Sequence, residues 1–434
     1  MMGMNKILKS VSIRIGLDDT DHPEIGCTTE KFDNLIRTIE SELDVHVRER
    51  RLVRLWPFAE RRTRGNGALG AVVEIPEQNY DTLEEICRNW FSELLSLVEH
   101  YPSAKFKPSP CVVISRTPTT DEWYWSSVRG HVDATERYEE VHRSGCLVLS
   151  SESIWGVVGA SAAVSWTPDY FSSWELIAWR FSSNIGTPRK VDIAAVNELE
   201  KLHPETFLNR DPTKGKGLIA PRTPCPVLYG IRGSSQDAVT DAHEWLQKRH
   251  DVEDCLRYAT HLTNQLSDDH IESQKSGTVI SSPDEIRGGH SHVFAFTGRE
   301  PVKLVAFHEG GPVNRLLRSL QPGDIVSWAG LNSPDGSIHL EKLCLEMQTP
   351  RIVGRPLCCS KTMRSAGRGQ GLRCSTCGKI EPKYWLSQSA NESCGAVQGA
   401  WVEPSPSNRR HLARPLSLRL HGVKVIPETP VKLS

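Results

Sequence analysis

The chain has 434 residues, with 52 Lys and Arg against 53 Asp and Glu, 12 Cys and a hydrophobic share of 38%. At roughly 100 to 200 residues per domain, this length excludes a single small binding module and calls for two to four domains. A formal net charge of −1 excludes a global positive field that gathers nucleic acid, so any basic surface has to be local.

In chain order, Val11 to Leu17 places Ile13, Ile15 and Leu17 on one face at period two, which predicts a strand. It runs into Asp18, Asp19, Thr20 and Asp21. From Thr28 to Leu43, the positions of Phe32, Leu35, Ile36, Ile39 and Leu43 predict an amphipathic helix. Two strand-like runs, Val45 to Trp56 and Ala68 to Ile75, flank the loop AERRTRGNG, and a second helix is expected from Leu83 to Val98. The order β-α-β-β-α suggests an α+β sandwich. Short mixed segments fill residues 108–268, including the apolar stretch Ile154–Trp166. At 13 residues, it falls short of the about 20 a membrane span needs. With no cleavable leader visible in the opening residues, we expect a cytosolic protein without a membrane partner. From Gly277 to Glu346, five strands with one helix after the third give the element order of an OB-fold, with another small barrel as the alternative. A Cys- and Arg-rich segment and a Pro-, Ser- and Arg-rich tail follow.

Four groups of residues can carry chemistry. Asp18, Asp19 and Asp21 close the first strand. If the backbone stays extended, Asp19 and Asp21 share a side and suit Mg²⁺, which takes one or two carboxylates plus phosphate oxygens; the alternative is a solvated turn. Gly26, Cys27, Thr28 and Thr29 lead into a helix whose N–H groups favour phosphate, and Thr28 can accept a phosphate or simply cap the helix. In RRTRGNG, Arg61, Arg62 and Arg64 stand beside Gly65, Asn66 and Gly67, joining anion-pairing side chains to a backbone open to close approach. The alternative is an exposed basic hairpin. Finally, Cys374-Ser-Thr-Cys377 is half of a zinc ribbon whose upstream pair is the adjacent Cys358-Cys359. Adjacent ligands seldom both reach one tetrahedral ion, so Cys358 or the distant Cys394 completes the shell, or the segment holds no metal. Arg364, Arg368 and Arg373 near it, with Arg409, Arg410 and Arg414 in the tail, can track a phosphate backbone.

The segments GLDDTDHPEIGCTT, RTRGNGA, TPCPVLYGIRG, TNQLSDDHI, SAGRGQGLRC and RRHLARPL occur in this order along one chain. From about Ile13 to Leu416 it resembles the archaeal tRNA(Ile) 2-agmatinylcytidine synthetase family. The resemblance implies ATP-dependent attachment of agmatine to the wobble cytidine of the AUA-decoding isoleucine tRNA with a CAU anticodon. It implies an α+β multidomain fold: a kinase-like ATP domain over 1–107, a ferredoxin-like α+β domain over 108–220, a segment over 221–274 completing the catalytic region, an OB-fold barrel over 275–348, and a C-terminal zinc-ribbon-like segment and tail over 349–434. It also implies roles: Asp18, Asp19 and Asp21 as metal and ATP carboxylates, Thr28 as a phosphorylated residue, and Arg62, Arg64, Gly65, Asn66 and Gly67 as the phosphate loop. Tyr229, Arg232, Asn264 and Asp268 fall in patterned regions we place around agmatine, with Tyr229 as a π-face for its guanidinium. Arg364, Arg368, Arg409 and Arg410 are the tRNA contacts; ATP and Mg²⁺ are the cofactors, with Zn²⁺ on Cys358, Cys359, Cys374 and Cys377. Two departures stand out: the ribbon lacks one ligand at the family's spacing, and SSESIWGVVGASAAV replaces a basic Gly-containing segment. Other readings are a non-catalytic OB-fold RNA-binding relative, and a ligase for a different amine or RNA.

Overall fold

In the computed structural model, which describes residues 9–22, 25–62, 65–170, 172–272 and 274–418 and only the backbone of Ser393, the chain divides into two units. One holds residues up to 272 together with 409–414; the other holds 274–408 and 415–418. The first strands and helices expected from periodicity are present. β1 (Ser10–Asp18) buries Ile13, Ile15 and Leu17, and α1 (Thr28–Glu42) buries Phe32, Leu35, Ile36 and Ile39. β2 (His46–Arg54), β3 (Gly67–Pro76) and α2 (Tyr80–Glu99) follow, and the two helices and the sheet share one apolar cluster.

The weakly patterned stretch folds into β4 (Cys111–Ser115), α3 (Glu122–Arg129), α4 (Ala134–Arg143), β5 (Leu147–Ser150), α5 (Val157–Ser165), β6 (Ser173–Trp179), α6 (Ile193–Leu202) and β7 (Thr206–Phe207). A two-strand ribbon, β8 (Arg210–Asp211) with β9 (Lys216–Gly217), precedes β10 (Val227–Gly233), α7 (Gln236–Gln247) and β11 (Arg257–Thr263). Nine of these strands form one sheet in the order β5-β4-β1-β3-β2-β11-β6-β10-β7. The sheet runs through both seams expected at 107/108 and 220/221, because β4 pairs with β1 and β10 pairs with β6. The joint between β2 and β11 is short: they are parallel neighbours only at Arg51–Leu262 and Leu52–Thr263.

The apolar stretch Ile154–Trp166 is largely α5, which shows no helical periodicity because it is buried nearly all round. Its Gly, Ala and Ser residues let it approach the sheet closely: Gly16 of β1 and Gly70 of β3 face its backbone. The departure from the family's basic segment is therefore, over most of its length, a packed core helix.

In the second unit, β12 (Lys275–Val279), β13 (Asp284–Ile286), β14 (His290–Phe296), β15 (Pro301–Ala306), α8 (Pro312–Arg318), β16 (Ile325–Asn332) and β17 (Ile338–Met347) build the expected barrel. The path β12-β16-β17-β15-β14 closes through pairing of β12 with β14 around Val293, Leu304, Leu317, Trp328 and Leu343. β18 (Arg351–Gly354) pairs with Leu386–Gln388, and the cysteine hairpins lie between them in the chain. No described helix is long and apolar enough to cross a membrane.

Candidate active site

Three carboxylates crowd the end of β1. Asp18 lies over the first turn of α5, where a Cβ on Gly159 would stand 1.9 Å from Asp18 Oδ2, so only glycine permits this approach. Burial pushes the Asp18 carboxyl well above its usual range, and the charge of Asp19 pushes it further. At Asp19 the backbone turns left-handed, with φ 56°, a conformation costing a non-glycine residue of order 1–3 kcal/mol. The side-sharing of Asp19 and Asp21 expected from an extended backbone therefore does not apply. Burial raises Asp19 to about 7 against the opposing charge of Arg61, with Asp21 adding repulsion and the Ser109 backbone N–H donating to it. A solvated turn does not have these properties.

Thr28 is not the helix cap. Cys27 holds that position without a side-chain capping bond, and Thr28 is the first helical residue. Its hydroxyl is buried and donates to Asp21 Oδ1 at 2.8 Å, while accepting from Thr20 at 3.2 Å. Next to it, Thr29 accepts the Trp179 indole N–H at 3.2 Å. A buried hydroxyl bonded to a carboxylate at a helix N-terminus is the arrangement a phosphoryl acceptor needs.

Within the basic loop, Arg61 and not Arg62 faces the aspartates. The Arg61 guanidinium lies 4.9 Å from the Phe106 ring and 5.3 Å from the Trp155 ring and donates to the Lys107 carbonyl at 2.9 Å. Arg62 is exposed and donates to Ala59 in its own turn. Arg64 lies outside the described residues. Asn66 adopts φ 43° and donates to the Trp56 carbonyl at 2.8 Å, and Gly67 opens β3. Gly65 is pinned by a residue that sequence reasoning missed: Arg54 Nη1 donates to the Gly65 carbonyl at 3.2 Å, and a Cβ on Gly65 would sit 2.2 Å from that nitrogen. Arg54 is itself held by Glu175 at 3.1 Å. A strand-terminal arginine gives no signal of this in the sequence.

Of the residues expected around agmatine, Tyr229 lies in the core and the others bond to neighbouring elements. Tyr229 is wholly buried, with its hydroxyl 2.8 Å from His243 Nδ1 and 2.8 Å from Gln247 Nε2, and offers no face to a guanidinium. The apolar neighbours Leu228 and Ile231 could have flagged it as core. Arg232 donates to Gln265 Oε1 at 2.9 Å and lies 3.6 Å from Glu175. Asn264 extends the short parallel joint with its side chain, accepting from Arg54 N at 2.7 Å and donating to Arg54 O at 2.9 Å. Asp268 holds a strap formed by 409–414: its N–H donates to the Leu412 carbonyl at 2.9 Å and its Oδ1 accepts from Arg414 N at 2.7 Å. Leu412 packs with Val53, Leu55, Ala68 and Trp166, and the His411 ring stands beside Gly65. Arg409 and Arg410 lie in this strap, Arg410 4.8 Å from the Phe58 ring.

Cys358, Cys359, Cys374 and Cys377 bring their sulfurs within 4.8 Å of one another. The separations Cys358–Cys377, 3.6 Å, and Cys358–Cys359, 4.0 Å, bracket the roughly 3.8 Å between thiolates on a tetrahedral zinc with 2.3 Å bonds. The adjacent pair reaches one point because Cys359 and Ser360 are both left-handed, with φ 52° and 60°. The expected missing ligand is therefore supplied. Cys394 is not needed; its thiol donates to Ala390 O. Backbone N–H groups of Cys377 and Thr376 pull the Cys374 thiol down to about 6. Arg364 and Arg368 are exposed on the same ribbon. By contrast, among the described residues the aspartates at the end of β1 do not gather their oxygens into a three-ligand cage. One or two of them with phosphate oxygens is the arrangement Mg²⁺ takes.

Family models described as the TiaS TCKD, FLD and C-terminal zinc ribbon domains match residues 14–152, 155–270 and 355–385. TiaS of Archaeoglobus fulgidus, an isoleucine-tRNA 2-agmatinylcytidine synthetase, is 30% identical over 428 residues, 93% of this chain and 96% of that one. The chain belongs to the TiaS family. Among solved structures, a complex of TiaS with isoleucine tRNA and ATP matches with a TM-score of 0.82 at 28% identity, covering 96% of this chain and 99% of that one. A complex of TiaS with isoleucine tRNA, AMPCPP and agmatine matches at 0.78 and 28%, covering 94% and 98%. The TiaS matches before and after residue 153 meet inside the nine-stranded sheet, near where α5 begins.

Proposed function

We propose that the chain attaches agmatine to C2 of the wobble cytidine of tRNA(Ile) with a CAU anticodon, converting ATP to AMP in the cytosol. The observation that carries this reading is Thr28, whose buried hydroxyl donates to Asp21 beside the strained, charge-crowded Asp19.

Amine attack on C2 of cytosine has to expel an oxygen that leaves poorly, so the oxygen is first made a phosphate ester. AMP formation accounts for two phosphoryl groups. Thr28 Oγ1 takes one from ATP, with Asp21 accepting its proton, and cytidine O2 takes the second from the resulting ADP. The agmatine amine then forms the C2–N bond as the C2–O bond breaks and phosphate departs, while water hydrolyses phospho-Thr28, releasing the first phosphoryl group as phosphate and restoring the hydroxyl. Arg61, rigidly stacked between Phe106 and Trp155, stabilises charge on the phosphates, and the Gly65–Gly67 loop, braced by Arg54, lies against them. Asp19 with Asp21 would hold Mg²⁺, which neutralises phosphate charge when bound. Arg364 and Arg368 on the ribbon, with Arg409 and Arg410 on the strap, contact tRNA phosphates, and the four cysteines hold Zn²⁺ to fix the ribbon's shape.

Purified protein incubated with labelled agmatine, ATP, Mg²⁺ and this tRNA tests the proposal. Label in the tRNA with stoichiometric AMP is expected. Tight tRNA binding without nucleotide turnover would identify a non-catalytic RNA-binding relative, and turnover only with another amine would reassign the substrate.

A further inference from the structure

Beyond Arg51 and Leu52, β2 and β11 separate, and the opening between them is a wide-mouthed cavity of about 430 Å³ lined by Arg37, Arg50, Arg257, Tyr258, Ala259 and Thr260. Three guanidiniums converge there on one wholly buried carboxylate, Asp33 of α1. Arg50 Nη1 donates to Oδ1 at 2.6 Å, and Arg37 Nε and Arg257 Nε donate to Oδ2 at 2.9 and 2.7 Å. Each arginine thus uses one of its five N–H donors on Asp33. The other carboxylates nearby, Glu40 at 3.7 Å from Arg50 and Glu30 at 3.9 Å from Arg257, stand beyond hydrogen-bond reach. One arginine would suffice to pair Asp33; three leave planar forks turned to a cavity large enough for a phosphoryl-bearing group.

We propose that this cavity is an oxyanion site for a phosphate group, bound by Arg37, Arg50 and Arg257 at the joint between the TCKD- and FLD-matching halves of the sheet. The phosphate belongs either to the tRNA backbone or to a free phosphate compound. Arg257 also places its guanidinium 5.7 Å from the Trp179 ring, whose N–H bonds Thr29, so the site touches the same packing that holds the neighbour of Thr28.

The test is calorimetric titration of pyrophosphate into the full chain with its ATP site filled by a non-hydrolysable ATP analogue and Mg²⁺, for wild type, Arg37→Gln and Arg37→Lys. Arg37 is largely exposed, and Asp33 keeps two arginines without it, so folding is retained. Pyrophosphate affinity is expected to fall about tenfold in Arg37→Gln, with partial recovery in Arg37→Lys. If tRNA affinity falls too, with its salt slope reduced by about 1 and pyrophosphate competing, the phosphate is RNA's. If tRNA affinity is unchanged, the site serves a free phosphate compound. Absence of pyrophosphate binding, or equal affinity in all three proteins, overturns the proposal. The pyrophosphate arm does not depend on the proposed reaction; the tRNA arm does, so the two can fail separately.

Discussion

Asp19 and Asp33 lie in the same unit, both withdrawn from solvent, and their carboxyls shift in opposite directions. Desolvation pushes Asp33 upward, yet the bonds from Arg50 and Arg37 outweigh it and hold the carboxyl below the usual range. Among the described residues Asp19 faces the opposing charge of Arg61 and the repulsion of Asp21, and with burial it is raised to about 7. The comparison teaches that partnership, more than burial, separates a structural carboxylate from one kept in tension for a ligand. The cysteine cluster belongs with Asp19, since its thiols crowd one another and Cys358 is pushed up to about 12 by its neighbours.

The largest expected effect lies on the tensioned side. Asp19→Ala should lower AMP formation by about a thousandfold, leaving tRNA affinity within about threefold by filter binding; retained turnover breaks the assignment. Next, elemental analysis should find one zinc per chain in the wild type and none in Cys377→Ser, whose ribbon should unfold because metal-binding energy there is folding energy. Thermolysin cleavage within 355–385 reports it. On the paired side, Asp33→Asn should destabilise the protein by about 3 kcal/mol, since removing one partner of a buried ion cluster leaves the others uncompensated. Urea unfolding measures it. The stabilisation from Asp33 is full above the unfolded carboxyl value near 4 and fades as pH falls through its lower folded value.

A last test sharpens the contrast through pH. Folded Asp19 keeps its proton to about 7, whereas the unfolded chain releases it near 4, so nucleotide-free stability should decline as pH rises between those values. Asp19→Asn should flatten that slope in urea titrations at pH 5 to 8.

The elements with one buried face were legible in the sequence: β1, α1, α2 and the barrel strands alternate or repeat as their faces require. α5 was not, because a helix covered on nearly every side has no polar stripe. At the candidate site, residue type was legible and backbone turn was not. The left-handed turns at Asp19, Cys359 and Ser360 redirect side chains in ways spacing cannot express. The basic loop offered Arg61, Arg62 and Arg64 alike and the resemblance singled out Arg62, whereas Arg61 is the one beside Asp19; Arg54 was hidden, because it meets Gly65 only once β2 and β3 have paired.

The strap at 409–414 ties the Gly65–Gly67 loop to the order of synthesis. Leu412 fills its place among Val53, Leu55 and Trp166 only after the barrel and ribbon have been translated. A ribosome-bound chain, or one cut before residue 409, thus carries a first unit with an open seat beside Gly65.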